Sequence, residues 1–147
     1  MSDEKFVYAI YIAGTAEKVW NALLDPKFTR EYWGYDNVSD WKPGSAWEHR
    51  KADGSPLLVG EVLESVPPRR LVLTWADPKD KGNPARKTRV TIELQQIEDM
   101  VQLSLTHDRF DHVPDLLPRI ASGWPRVLSS LKSLLETGKP LNTWAGR

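Results

Sequence analysis

The stretch Gly123 to Gly138, GWPRVLSSLKSLLETG, decides the fold, because it reads as one long amphipathic helix around which a sheet can wrap. Trp124, Val127, Leu128, Leu131, Leu134 and Leu135 recur at helical spacing and make one apolar stripe, while Arg126, Ser129, Ser130, Lys132, Ser133 and Glu136 fall outside it. Gly138 suits the left-handed residue that closes a helix, and Pro140 keeps the chain from resuming it. Leu116, Leu117 and Ile120 extend the pattern upstream, so a helix from about Asp115 to Glu136 is expected. Pro125 cannot donate to the carbonyl of Ala121, which predicts a kink near Gly123 to Pro125 and open space between the helix's first half and the sheet.

Upstream lies what this helix would cover. Phe6 to Ile12 alternates and is rich in β-branched and aromatic residues, and reads as a strand apolar on both sides. Thr15 stands where an N-cap belongs, ahead of the stripe Val19, Trp20, Leu23 and Leu24. This short helix stops before Asp25-Pro26, and a second covers about Lys27 to Tyr32. Tyr35 to Ser45 has few strand signals and is expected to be a long loop at the rim. From Ala46 a meander of antiparallel strands follows: Trp47 and His49 share a face, then come Leu57 to Glu64, Arg70 to Trp75, Thr88 to Ile97 and Met100 to His107, separated by turn formers at Asp53-Gly54, Pro67-Pro68, Asp77 to Pro84 and Glu98-Asp99. Strands and helices that do not alternate predict an α+β fold, a curved antiparallel sheet of about six or seven strands around the C-terminal helix, with the two short helices closing one end.

The 147 residues make one domain, with a core expected over about 6–138 and a tail over 139–147. Twenty basic and twenty acidic residues leave no net charge and form no basic cluster, which argues against nucleic acid as partner. The chain has no cysteine, so disulfides and thiolate chemistry are excluded; with no apolar run of membrane length and no secretory leader at Met1 to Lys5, a cytoplasmic protein without membrane insertion is expected. Seven tryptophans are more than a core of this size ordinarily uses.

Several pieces occur in an order that resembles a known family: Thr15 to Trp20 (TAEKVW), Tyr32-Trp33-Gly34, Ser39 to Ser45 (SDWKPGS), Gly60 to Glu64 (GEVLE), Pro67 to Trp75 (PPRRLVLTW) and Gly123-Trp124-Pro125. They resemble the START-like (SRPBCC) superfamily, and within it the branch named after the activator of the ninety-kilodalton heat-shock chaperone's ATPase. The resemblance implies the helix-grip fold with a deep apolar cavity between sheet and helix, a cavity in which members bind hydrophobic molecules. It leaves three readings: a module binding a small aromatic or lipid-like molecule, a co-chaperone acting through its surface, and a cyclase- or hydratase-type enzyme. A binding module is favoured over an enzyme, with no cofactor; a chaperone or a second copy of the chain are the protein partners to consider.

Strand alternation nominates the cavity lining as Trp47 and His49, then Leu71, Leu73 and Trp75, then Leu103, Leu105 and His107, with Trp124 from the helix and Tyr32, Trp33 and Trp41 at the mouth. The tryptophans either line such a hole or fill the core. If Trp124 borders open space, replacing it by Ala costs less than the roughly 3–5 kcal/mol of a packed aromatic. His107 and His49 are the candidates for acid–base work, with Glu48 or Asp108 as orienter, although Glu48 points to the face opposite His49. A buried histidine held by a polar neighbour is the alternative. His107, Asp108, Asp111 and His112 form the densest group of potential metal ligands, but their spacing fits no established motif and no metal is expected.

Overall fold

A computed structural model of the chain describes residues 4–141; residues 1–3 and 142–147, which include Trp144 and most of the expected tail, lie outside the described residues. The first strand, β1 (Lys5–Ala13), is followed by helices α1 (Ala16–Leu24) and α2 (Pro26–Tyr32). The hydroxyl of Thr15 accepts from the N–H of Lys18 at the start of α1, and the carboxylate of Asp25 accepts from the N–H of Lys27 at the start of α2, where Pro26 needs no partner. Six strands follow: β2 (Asp36–Ser39), β3 (Ala46–Arg50), β4 (Pro56–Val66), β5 (Arg70–Trp75), β6 (Thr88–Ile97) and β7 (Met100–Asp108), before helix α3 (Leu116–Thr137).

All seven strands form one antiparallel sheet in the order β1-β7-β6-β5-β4-β3-β2. It curls because β4 serves two partners. Its first half, to Glu61, pairs with β3, its second half, from Val62, pairs with β5, and register shifts at Val62/Glu64 and His49/Arg50 bend the strands. The concave face receives α3, whose Trp124, Val127, Leu128, Leu131 and Leu134 pack in one core with Val90, Ile92, Leu94, Val101, Leu103 and Leu105. The strict alternation of burial along β6 and β7 puts those apolar residues inward.

One expectation is corrected. The loop expected over Tyr35 to Ser45 contains the strand β2, which pairs with β3 and is tied to α2 by a bidentate ion pair of Arg30 with Asp36 at 2.9 Å. Its weak intrinsic β signal is overridden by these tertiary partners. The first strand, β1, lies at the sheet edge, and Val7 and Tyr11 on its outer face are exposed. Its free edge is partly capped by α3, where Lys132 donates to the carbonyl of Tyr11 and Glu136 accepts from the N–H of Ala13 at 2.8 Å. As expected, Gly138 closes α3, its φ of 83° lying in the left-handed region, and Pro125 lies inside the helix.

Candidate functional site

Three elements bring three indoles together at the upper end of α3. Trp33 is the C-cap residue of α2, Trp75 ends β5 and Trp124 lies on α3. Their ring centroids are 6.3 Å (Trp33 to Trp75), 5.2 Å (Trp33 to Trp124) and 5.3 Å (Trp75 to Trp124) apart, within the range of favourable aromatic pairing. Trp47 continues the cluster 5.7 Å from Trp75, with Trp41 stacked beyond it. The Trp47 indole N–H donates to the carbonyl of Thr74 at 2.7 Å. Gly60, its cross-strand partner, makes room for this bond, since a Cβ there would overlap both the Thr74 oxygen and the Trp47 nitrogen.

Both buried histidines have partners that fix their tautomers. An indole only donates, so the Trp124 N–H, 3.1 Å from Nδ1 of His107, requires a lone pair on that nitrogen. The proton then lies on Nε2 and is donated to the Thr88 hydroxyl at 2.8 Å, which donates in turn to the carbonyl of Trp75 at 3.1 Å. His49 is the opposite tautomer. Asn37 donates its amide N–H to the carbonyl of Leu23, so its oxygen faces Nδ1 of His49 and that nitrogen carries the proton. Burial pushes the His107 pKa down to about 3 and the His49 pKa down to about 4, with Asp108 and Asp36 respectively pulling the other way. Each ring is neutral at physiological pH.

A space of about 20 Å³ lies between sheet and helix, bordered by Tyr32, Trp33, Trp41, Trp47, Leu71, Leu73, Trp75 and Trp124 among others. That is room for about one water molecule. The tryptophans have filled most of what they border. Outside the indole trio lies a larger space, an open groove of about 300 Å³ between the first half of α3 and the start of β4. Leu57, Leu58, Leu116, Ile120 and Val127 wall it, Trp33, Trp75 and Trp124 floor it, and Asp77 and Arg119 are its charged residues. A recess of about 310 Å³ adjoins it across Arg119 and Leu116. A hollow of about 500 Å³ elsewhere is lined by Arg69, Arg70, Glu93, Gln95, Gln102 and Ser104 together with Val66 and Leu94, with Arg70 paired to Glu64 and Glu93.

The nominated residues therefore separate. Trp33, Trp75 and Trp124 reach the groove; Trp41, Trp47, Leu71 and Leu73 border only the small void. Leu103, Leu105, His49 and His107 border neither and belong to the closed core. Tyr32 does not sit at a mouth: it is 1 % exposed, its hydroxyl is buried with no hydrogen-bond partner, and burial raises its pKa far above the ordinary phenol value. The turn of α2 that carries Thr29 and Tyr32 faces the core and takes it inside. Trp124 is only 5 % exposed, bonded through its N–H and flanked by rings, the surroundings of a packed core aromatic, while it also borders the groove.

The proposed orienters are engaged elsewhere, Glu48 with Arg50 at 2.7 Å and Asp108 with Arg89 at 2.7 and 3.0 Å. His107 points into the core, and among the described residues no group of three or more His, Asp and Glu side chains is placed to hold a metal ion. Sequence reading missed Asn37, Thr88 and Phe110. Thr88 had a signal, as the first inward residue of the alternation Thr88, Val90, Ile92 and Leu94; Phe110, stacked 5.0 Å from His107, and Asn37 had none. Leu116 and Ile120 were legible on the helical stripe that continues to Trp124 and Val127.

A family model described as Activator of Hsp90 ATPase homolog 1-like protein matches residues 13–136. Among solved structures, the Aha1 dimer from Colwellia psychrerythraea is similar over 92 % of this chain and 98 % of that one, with a TM-score of 0.75 and 22 % identity. A protein from Cytophaga hutchinsonii gives 0.72 and 27 % identity over 92 % of this chain and 96 % of that one. An HSP90 activator from Plasmodium falciparum gives 0.72 and 24 % identity over 89 % and 95 %. Among curated proteins none matches the sequence. No helix among the described residues is long and apolar enough to cross a membrane.

Proposed function

The chain belongs to the Activator of Hsp90 ATPase homolog 1-like family, and from that premise we propose that it binds a small apolar molecule in the groove between α3 and β4. The observation that carries this reading is the division of space: about 20 Å³ inside against about 300 Å³ in an apolar groove onto which three indoles converge. Ligand sites are concave and mostly apolar with a few polar groups, and this groove has that character at the small end of the usual size range. A ligand there stacks on indole without displacing the packed core.

Quenching of tryptophan fluorescence by the neutral probe 1-naphthaleneacetamide tests the reading. Saturable quenching is expected, weakened at least about tenfold in Leu57→Glu, which places a charge on a half-exposed wall residue. No saturable quenching, or equal affinity in the variant, overturns it.

A second reading is co-chaperone activity through the surface, supported by the family's description and by the likeness to the Plasmodium HSP90 activator. Stimulation of a heat-shock chaperone's ATPase by the purified chain supports it, and absence of binding at micromolar concentration removes it. The cyclase or hydratase reading has less support, since both nitrogens of His107 are bonded within the core.

A further inference from the structure

Resting on the groove reading above, we propose that its occupant is an anionic amphiphile, a small monocarboxylate with an apolar ring or short chain as its body, whose head is held by the guanidinium of Arg119. Arg119 lies on α3 on the wall common to the groove and the adjoining recess, exposed to solvent. Among the described residues it makes no hydrogen bond through its side chain and no ion pair, so its fork of donors is unused. Of the other charged groups nearby, Arg86 and Asp77 are engaged, whereas Lys79 and Asp115 of the recess make no ion pair among the described residues. Arg86 pairs with Asp80 at 3.1 Å and donates to the carbonyl of His112 at 2.9 Å. Asp77 accepts from the N–H of Lys79 at 3.1 Å, which fixes it as the cap of the short turn Pro78–Asp80.

Two further groups in the recess do not take its place. The N–H groups of Leu116 and Leu117 at the start of α3 are bonded to the carbonyls of Val113 and Pro114, so the helix end offers no donors of its own. Asp115, one turn before Arg119, lies in the recess and makes no ion pair with it. A neutral body laid on the indoles would strip water from an unpaired guanidinium without replacing it. A carboxylate at the groove's edge supplies two acceptors in the geometry that fork prefers.

The experiment is titration of the chain at low salt with 1-naphthaleneacetate, its neutral isostere 1-naphthaleneacetamide and the cationic 1-naphthylmethylamine, repeated on Arg119→Gln. In the wild type the acid should bind about fivefold tighter than the amide, the modest preference an exposed charge gives, and the amine weakest. In Arg119→Gln the ratio of acid to amide should fall to about one, while the thermal midpoint stays within a degree or two. Equal binding of acid and amide, tighter binding of the amine through Asp77, or a preference that survives in Arg119→Gln overturns the proposal and leaves the groove reading standing. Failure of all three probes to bind overturns both.

Discussion

Trp124 donates its indole N–H to Nδ1 of His107, so a proton on that nitrogen and the bond from the helix exclude one another. The bond joins α3 to β7 inside the core, and through Thr88 it reaches the end of β5. The anchor of the helix is thus a chain of polar groups among apolar ones, every one of them satisfied, which is the condition under which buried polarity is tolerated.

Acid should destabilise the fold through its two buried histidines. His107 and His49 titrate near 3 and 4 in the folded chain and near 6.5 when unfolded, so between these values the unfolded chain binds more protons. Their contribution is therefore complete above about pH 6.5 and lost as pH falls toward 4, with a limiting slope of about 2.7 kcal/mol per pH unit for the two together. At pH 5 the loss is about 4 kcal/mol, a large part of a typical domain's stability. Asp36 and Glu136, held low by Arg30 and by the N–H of Ala13, add losses in the same direction at lower pH. Urea midpoints from pH 7.5 to 5 measure this, and a flat profile contradicts it.

Replacing Trp124 separates its two roles. Trp124→Ala should cost the roughly 3–5 kcal/mol of a buried aromatic. Trp124→Phe keeps a ring but leaves Nδ1 of His107 without a donor, and should cost about 1–3 kcal/mol. It should also raise the His107 pKa, because that nitrogen no longer faces an N–H that only donates. Histidine ring resonances followed by NMR against pH read the shift directly. An unchanged titration in Trp124→Phe contradicts the assigned tautomer.

Gly60→Ala should destabilise by at least about 1–3 kcal/mol, the scale of overpacking, although the change adds a single methyl on a strand. The added Cβ would overlap the Thr74 carbonyl and the Trp47 indole nitrogen, so either the β4 backbone or the Trp47 bond must give way. Loss of near-ultraviolet circular dichroism along with a lowered midpoint is the expected signature. A variant as stable as the wild type would show that β4 has slack at this point.

Periodicity made the frame of this fold legible. The stripe from Trp124 to Leu135 and the alternations of β6 and β7 each match one buried face, because core packing and local propensity agree there. β2 was not legible: Asp36 to Ser39 holds one β-branched residue, and its pairing comes from β3 and from Arg30 on α2. The site was legible only in part, for a reason of volume. Sequence shows that an indole faces inward but not whether its neighbours close around it; Trp47 and Trp75 face the same way, yet only Trp75 reaches the groove. Arg119, one residue before Ile120, gave no signal, since its proposed role rests on its having no partner among the described residues.

On the groove reading, ligand is taken up on the outer surface of the Trp33, Trp75 and Trp124 trio and not inside the sheet. The most direct test of this claim is a nitrogen–proton correlation spectrum recorded while 1-naphthaleneacetate is added to the intact chain, with the indole and backbone signals assigned. Saturable shifts confined to Trp33, Trp75, Trp124, Leu57, Leu58, Arg119 and Ile120, with Tyr32, Leu71 and the Trp47 indole unmoved, are the predicted result. Shifts centred on Tyr32, Trp47 and Leu71 would place the ligand in the interior void and contradict the claim.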